Sequence, residues 1–178
     1  MKKLIVIIIL SLFSTPTFGQ VIFGDAVGTA IDKTSVLMEF SNAGNRGLIL
    51  PYITDKSSVN TPGSIILDAT SPSASKVQYY TGNSWFDLSV QPANVTSYLA
   101  LQPITREMSS AKFIIGNATS AAEGVLVLES SDKAMILPIV KSYTNVINPS
   151  PGTILLTSDG GVMTLAVYNG QQWSFWGY

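Results

Sequence analysis

The chain has no cysteine and no histidine. Without a thiol it has no disulfide framework and no Cys nucleophile, and without an imidazole it has neither a Ser-His-Asp triad nor a His-ligated zinc site. Charge is scarce as well: 10 Lys+Arg and 11 Asp+Glu make up 12% of the 178 residues, about half the usual share. No basic patch is available to neutralise phosphates, so nucleic acid is not an expected partner. Long apolar runs are equally rare. The longest, Leu4 to Leu10 extended by Leu12 and Phe13, reaches roughly half the 20 residues that a membrane-spanning helix needs. Preceded by Lys2 and Lys3 and followed by the small residues Thr17 and Gly19, it has the three parts of a secretory signal, with cleavage expected before Gln20. The roughly 160 residues that remain are enough to bury about two thirds of their unfolded surface, so a core without disulfide staples is feasible.

The sequence does contain itself twice. Phe23-Gly24-Asp25-Ala26 matches Ile115-Gly116-Asn117-Ala118, and Val36-Leu37-Met38-Glu39 matches Leu126-Val127-Leu128-Glu129. Leu48-Ile49-Leu50-Pro51 matches Met135-Ile136-Leu137-Pro138, and Pro62-Gly63-Ser64-Ile65-Ile66-Leu67 matches Pro151-Gly152-Thr153-Ile154-Leu155-Leu156. Tyr80-Thr81-Gly82-Asn83-Ser84-Trp85 matches Tyr168-Asn169-Gly170-Gln171-Gln172-Trp173. Five blocks recur in one order at offsets between 87 and 92, and fixed-order self-similarity is the signature of an internal repeat. The offset drifts where loops are expected, between Glu39 and Pro51 and between Pro138 and Gly152, because exposed backbone tolerates insertion.

The blocks are short runs rich in aliphatic and aromatic residues, bounded by Gly, Pro, Asn and Ser, and they predict strands. Thr81-Gly82-Asn83 and Asn169-Gly170-Gln171 predict hairpin turns, since glycine takes the positive φ that such turns require. The expected fold is all-β: two tandem copies of a small antiparallel meander with short helical turns. The expected boundaries are a signal peptide over 1–19, a first repeat over 20–89, a linker over 90–112 and a second repeat over 113–178. Within that linker, Tyr98, Leu99, Leu101 and Ile104 leave open a second reading in which the segment packs on one copy.

The series aliphatic-Glu, Gly47-Leu48-Ile49-Leu50-Pro51, Thr61-Pro62-Gly63-Ser64-Ile65-Ile66 and Tyr79-Tyr80-Thr81-Gly82-Asn83-Ser84-Trp85 resembles a repeat of exported Bacteroidota proteins, many of them adhesin-like or similar to tail fibres. The resemblance implies a surface or structural role and carries no catalytic residues. It also implies a basic residue after the Leu-Pro element, where this chain has Tyr52 and Ile139.

Function therefore divides into three expectations. The first is an exported, non-enzymatic structural or interaction protein of the cell surface, such as an accessory subunit of outer-membrane secretion, gliding or adhesion machinery. It would contact a protein partner or a second copy of itself through Phe175, Trp176 and Tyr178, because aromatics are enriched at interface cores. The second is a carbohydrate-binding module using Tyr80, Asn83, Trp85, Tyr168 and Trp173, although Trp85 and Trp173 equally suit plugs of the meander core. The third is a hydrolase built on the symmetric pair Glu39 and Glu129, which otherwise serve as surface or register residues. Asp55, Asp68, Asp132 and Asp159 read as turn caps rather than calcium ligands. No cofactor or metal is expected, and no membrane span after cleavage.

Overall fold

The computed structural model describes residues 20–24, 28, 30–102 and 111–177. The expected signal over 1–19, Asp25 and Ala26, residues 103–110 of the expected linker with Ile104 among them, and Tyr178 lie outside the described residues.

The fold is all-β. Its fourteen described strands are β1 (Val21–Phe23), β2 (Val36–Phe40), β3 (Leu48–Ile49), β4 (Tyr52–Ile53), β5 (Ile65–Asp68), β6 (Lys76–Tyr80), β7 (Trp85–Asp87), β8 (Phe113–Ile115), β9 (Leu126–Leu128), β10 (Ala134–Ile136), β11 (Ile139–Val140), β12 (Thr153–Thr157), β13 (Thr164–Tyr168) and β14 (Trp173–Trp176). A single described α-turn, α1 (Thr96–Leu99), accompanies them.

Two sheets share one design. The first has the order β4-β5-β6-β7 and the second β11-β12-β13-β14, with β3 added beside β12. In each, the leading strand runs parallel to the next and the other three alternate. The registers correspond: Leu67 opposes Val77 and Tyr80 opposes Trp85 in one sheet, as Leu156 opposes Leu165 and Tyr168 opposes Trp173 in the other. The turns correspond too. Gly63 N donates to Tyr80 O and Gly152 N to Tyr168 O, both at 2.8 Å. Gly82 and Gly170 take φ of +99° and +114°, and a Cβ on either would press on Pro62 or Pro151. These turns need glycine for backbone conformation and for space alike.

A wholly antiparallel meander is not what forms. Parallel neighbours require a crossover connection of about ten residues or more, and loops over 54–64, 116–125 and 141–152 supply it without an α-helix, the last with a single 3-10 turn at Tyr143–Asn145. β1 lies parallel to β2, and β8 parallel to β9, so this end of the molecule advances by stacked short strands in the manner of a solenoid. Strands also cross between the halves: β10 pairs parallel with β2, and β3 pairs antiparallel with β12.

The core lies where the two larger sheets face one another. Leu67 and Val77 from the first and Ile154 and Val167 from the second are buried together, joined by Leu50, Ala69, Leu88 and Val95. Burying side chains of this size stabilises the fold by about 1.5–3 kcal/mol each. Val95 has no exposure and belongs to this shared core, Ala93 bridges to Ser75, and Gln91 O accepts from Asn169 Nδ2, so this part of 90–112 packs between the two halves. A second cluster joins Leu37 and Met38 to Ile115, and a third joins Val140, Leu155 and Ala166 to Trp173.

Candidate functional site

Each larger sheet turns one face to the shared core and the other outward. On the outer faces the period of two in a strand aligns the residues singled out in the sequence. In the first sheet Tyr80 and Trp85 sit directly opposite, with ring centroids 5.1 Å apart, and Lys56 Nζ lies 5.1 Å over the indole. The corresponding pair in the second sheet, Tyr168 and Trp173, is 5.2 Å apart, and Tyr143 packs 5.9 Å from the indole. Tyr143 also meets Phe175 edge-on at 4.9 Å. Both tryptophans are half-buried; Trp173 packs on the buried cluster of Val140, Leu155 and Ala166, whereas Trp85 lies against Tyr80 under Lys56. Asn83 is exposed on its turn, where its backbone N–H donates to Thr81 Oγ1, and the Tyr80 hydroxyl donates to Gly82 O.

The two faces differ in chemistry. On the first, Lys56 donates to Asp68 at 2.5 Å and to Gln78 at 3.2 Å, and Lys76 donates to Asp87 at 2.7 Å. Burial works to raise both carboxyls, but the lysine partners together with Thr70 and Ser89 outweigh it and hold Asp68 and Asp87 below the ordinary range. On the second face the positions of Lys56, Asp68, Lys76, Gln78 and Asp87 are taken by Tyr143, Thr157, Thr164, Ala166 and Phe175. That face carries no charge at these positions, and the buried Thr157 hydroxyl has no hydrogen-bond partner among the described residues. Burial raises the Tyr168 phenol, with Tyr98 adding to the effect. Lys56 and Tyr143 were missed in the sequence because they lie in loops outside the matched blocks, yet the offset of 87 that relates the Leu-Pro elements relates these two as well.

Trp176 is placed differently from Phe175. Adjacent residues of a strand point to opposite faces, and Trp176 turns inward: its Nε1 donates to Leu88 O at 2.8 Å and its ring packs edge-on against Phe86 at 5.6 Å. Ser174, on the same side, donates to Ser89 O at 2.5 Å. The expected grouping of Phe175 with Trp176 in one contact is thereby corrected, since Trp176 ties the last strand to the first half while Phe175 remains outside.

The acidic residues hold loops, through backbone and side-chain donors alike. Glu39 is completely buried, not a surface residue, and its carboxylate accepts from Gln20 Nε2 at 2.8 Å, Ala30 N at 3.0 Å and Lys33 Nζ. Glu129 accepts from Ser120 Oγ. Each closes the loop after the strand paired with its own, so the pair does not flank a common cleft. Asp55 and Asp68 accept from the backbone two residues on, as turn caps do, while Asp159 accepts from Ser142 Oγ. An open groove of about 720 Å³ runs past Leu37, Gly116, Glu129, Asp132 and Lys133, away from the aromatic faces. Among the described residues no three carboxylates converge as a metal site, and no helix is long and apolar enough to cross a membrane.

Comparison with protein-family models, with curated proteins and with solved structures returned no match.

Proposed function

We propose that this chain is a duplicated, exported, non-enzymatic interaction protein of the bacterial cell surface, held by a protein partner through the outer face of its second sheet. The two halves are read as copies of one unit because register and turn bonds correspond strand by strand. The observation that carries the functional reading is the divergence of the two outer faces. Where one copy holds two ion pairs, the other presents Tyr143, Trp173 and Phe175 with no charge among them, and Ile147 on the same crossover is 84% exposed. Aromatic residues without neighbouring charge are the composition of an interface centre. The carboxylates that hydrolysis would need are bonded to loops or lysines, which favours a role without catalysis. The expected signal over 1–19 and the resemblance to exported Bacteroidota repeats support export and a surface location.

The test is co-purification from outer membranes of the producing cells, comparing the natural chain with Phe175→Asp and Ile147→Asp. A partner retained by the natural chain and lost by both variants supports the reading. Equal recovery with all three overturns it for this face.

A carbohydrate-binding reading draws on the same rings. Tyr168 and Trp173, or Tyr80 and Trp85 with exposed Asn83, would stack on a sugar face, with the neighbouring polar side chains bonding its hydroxyls. A glycan array that returns binding abolished by Trp173→Ala or Trp85→Ala would favour it.

A further inference from the structure

β2 and β9 hold the same place in the two halves, but their edges differ. β2 is covered on both sides, by β1 and by β10. β9 pairs only with β8 among the described residues. Phe113 N donates to Val125 O and Glu129 N donates to Ile115 O, so alternation turns the backbone groups of Leu126 and Leu128 to the uncovered side. Burial follows the difference: Val36 is 2% exposed, whereas its counterpart Leu126 is 40% exposed and neighbouring Phe113 is 57% exposed.

The strand that covers β2 also has a counterpart. β10, Ala134–Ile136, corresponds to Gly47, Leu48 and Ile49, that is, to β3 and the residue before it. Among the described residues β3 uses only one edge. Leu50 N donates to Gly152 O and Leu48 opposes Ile154, so the backbone N–H and C=O of Ile49 point away from β12, and its side chain is 55% exposed. In β10 the equivalent residue, Ile136, is registered with Glu39 of β2.

One chain therefore has an acceptor strand without its incoming strand, and an incoming strand without its acceptor. They lie in different parts of the molecule. We infer that β3 of one chain adds in parallel to the open edge of β9 of another, repeating between molecules the β2–β10 pairing made within each. The partner is a second copy of this chain, because the internal pairing is the template for the contact. Such a contact is heterologous, with different surfaces on its two sides, and it propagates head to tail into a fibre unless the rotation closes a ring. It satisfies edge groups that would otherwise remain open to indiscriminate strand pairing. The inference rests on the interaction reading above but uses a different surface, so the two fail independently.

Sedimentation velocity of the purified chain over a concentration series tests it. The natural chain should show a weight-average mass that rises with concentration. Ile49→Pro and Leu126→Pro each delete an outward N–H at an edge, where proline is tolerated, and each should remain monomeric alone. Each variant keeps one competent surface, so an equimolar mixture should form a species of twice the monomer mass and nothing larger. If either proline variant loses its cooperative melt, the chain carrying Ile49→Asp together with Leu126→Asp replaces it. That chain keeps every backbone donor, places a carboxylate on both side chains that pairing would bury, and should be monomeric. A natural chain monomeric into the millimolar range overturns the inference while leaving the Phe175 co-purification result untouched. Association that persists in all the variants also overturns it, by placing the contact elsewhere.

Discussion

Trp176 offers the sharpest test of how the end of the chain is used. It is 36% exposed, so about two thirds of its side chain is covered, and its indole N–H is bonded across to Leu88 O. An aromatic side chain of roughly 200 Å² with two thirds hidden buries about 130 Å², worth about 3 kcal/mol at 25 cal/mol per Å². Losing the hydrogen bond adds about 1 kcal/mol, while residual burial in the unfolded chain lowers the sum. Trp176→Ala should therefore cost about 3 kcal/mol, a fall in melting temperature of roughly 6–12 °C for a chain of this size. Trp176→Phe keeps the contact with Phe86 and should cost about 1 kcal/mol by leaving Leu88 O without its donor. Urea unfolding followed by circular dichroism reads both variants without relying on the tryptophan signal being altered. Midpoints unchanged in Trp176→Ala would refute this account and return the residue to the surface role that its sequence suggests.

Three further perturbations follow from particular contacts. Thr157→Val removes a buried hydroxyl with no partner among the described residues while keeping the side chain's shape, and should raise stability by about 1 kcal/mol; a lowered urea midpoint would show that the hydroxyl is satisfied. Gly28→Ala would put a Cβ 2.3 Å from the Glu39 carboxyl at a φ of +71°, and should cost about 2 kcal/mol; an unchanged melt would mean that the loop is not clamped by Glu39. Asp68 has a folded pKa lowered by Lys56 and Thr70 against the opposing effect of burial. Its stabilisation is therefore present above the unfolded value near 4 and is lost as pH falls through the folded value. Asp68→Asn should cost about 1 kcal/mol or less at pH 7, given partial solvent screening, and should flatten the loss of stability below about pH 4; an acid limb identical to the natural chain's would refute the assignment.

Much of the local structure was legible because it depends on neighbouring residues. Gly82 and Gly170 mark turns that only glycine makes easily, and the strands beside them fall where alternation puts Val77 with Tyr79 and Leu165 with Val167. What was not legible is which strand lies beside which. Ile139–Val140 and Tyr52–Ile53 are too short to show a period, and nothing in them distinguishes a parallel neighbour from an antiparallel one. The pairing of β3 with β12 is decided by space: a Cβ on Gly47 would lie 2.4 Å from Thr153 Cγ2, and that proximity exists only once the halves are together. At the candidate site the tyrosine and tryptophan pairs were readable, and the separation of Phe175 from Trp176 is what alternation along a strand dictates. The cover over the rings was not, since Lys56 and Tyr143 reach them from loops.

The exchange of strands between halves governs the order of folding. β2 cannot gain its second neighbour until β10 exists, β3 cannot pair until β12 exists, and the bonds from Trp176 to Leu88 and from Asn169 to Gln91 close loops of 88 and 78 residues. Contacts so distant in sequence place the chain among slow folders, because loop closure must be completed before the pairing repays it. The first half emerges from the ribosome with β2 lacking its second neighbour and β3 lacking β12, and must wait for the second. During that interval its open edges are available to chaperones or to another chain in the same condition.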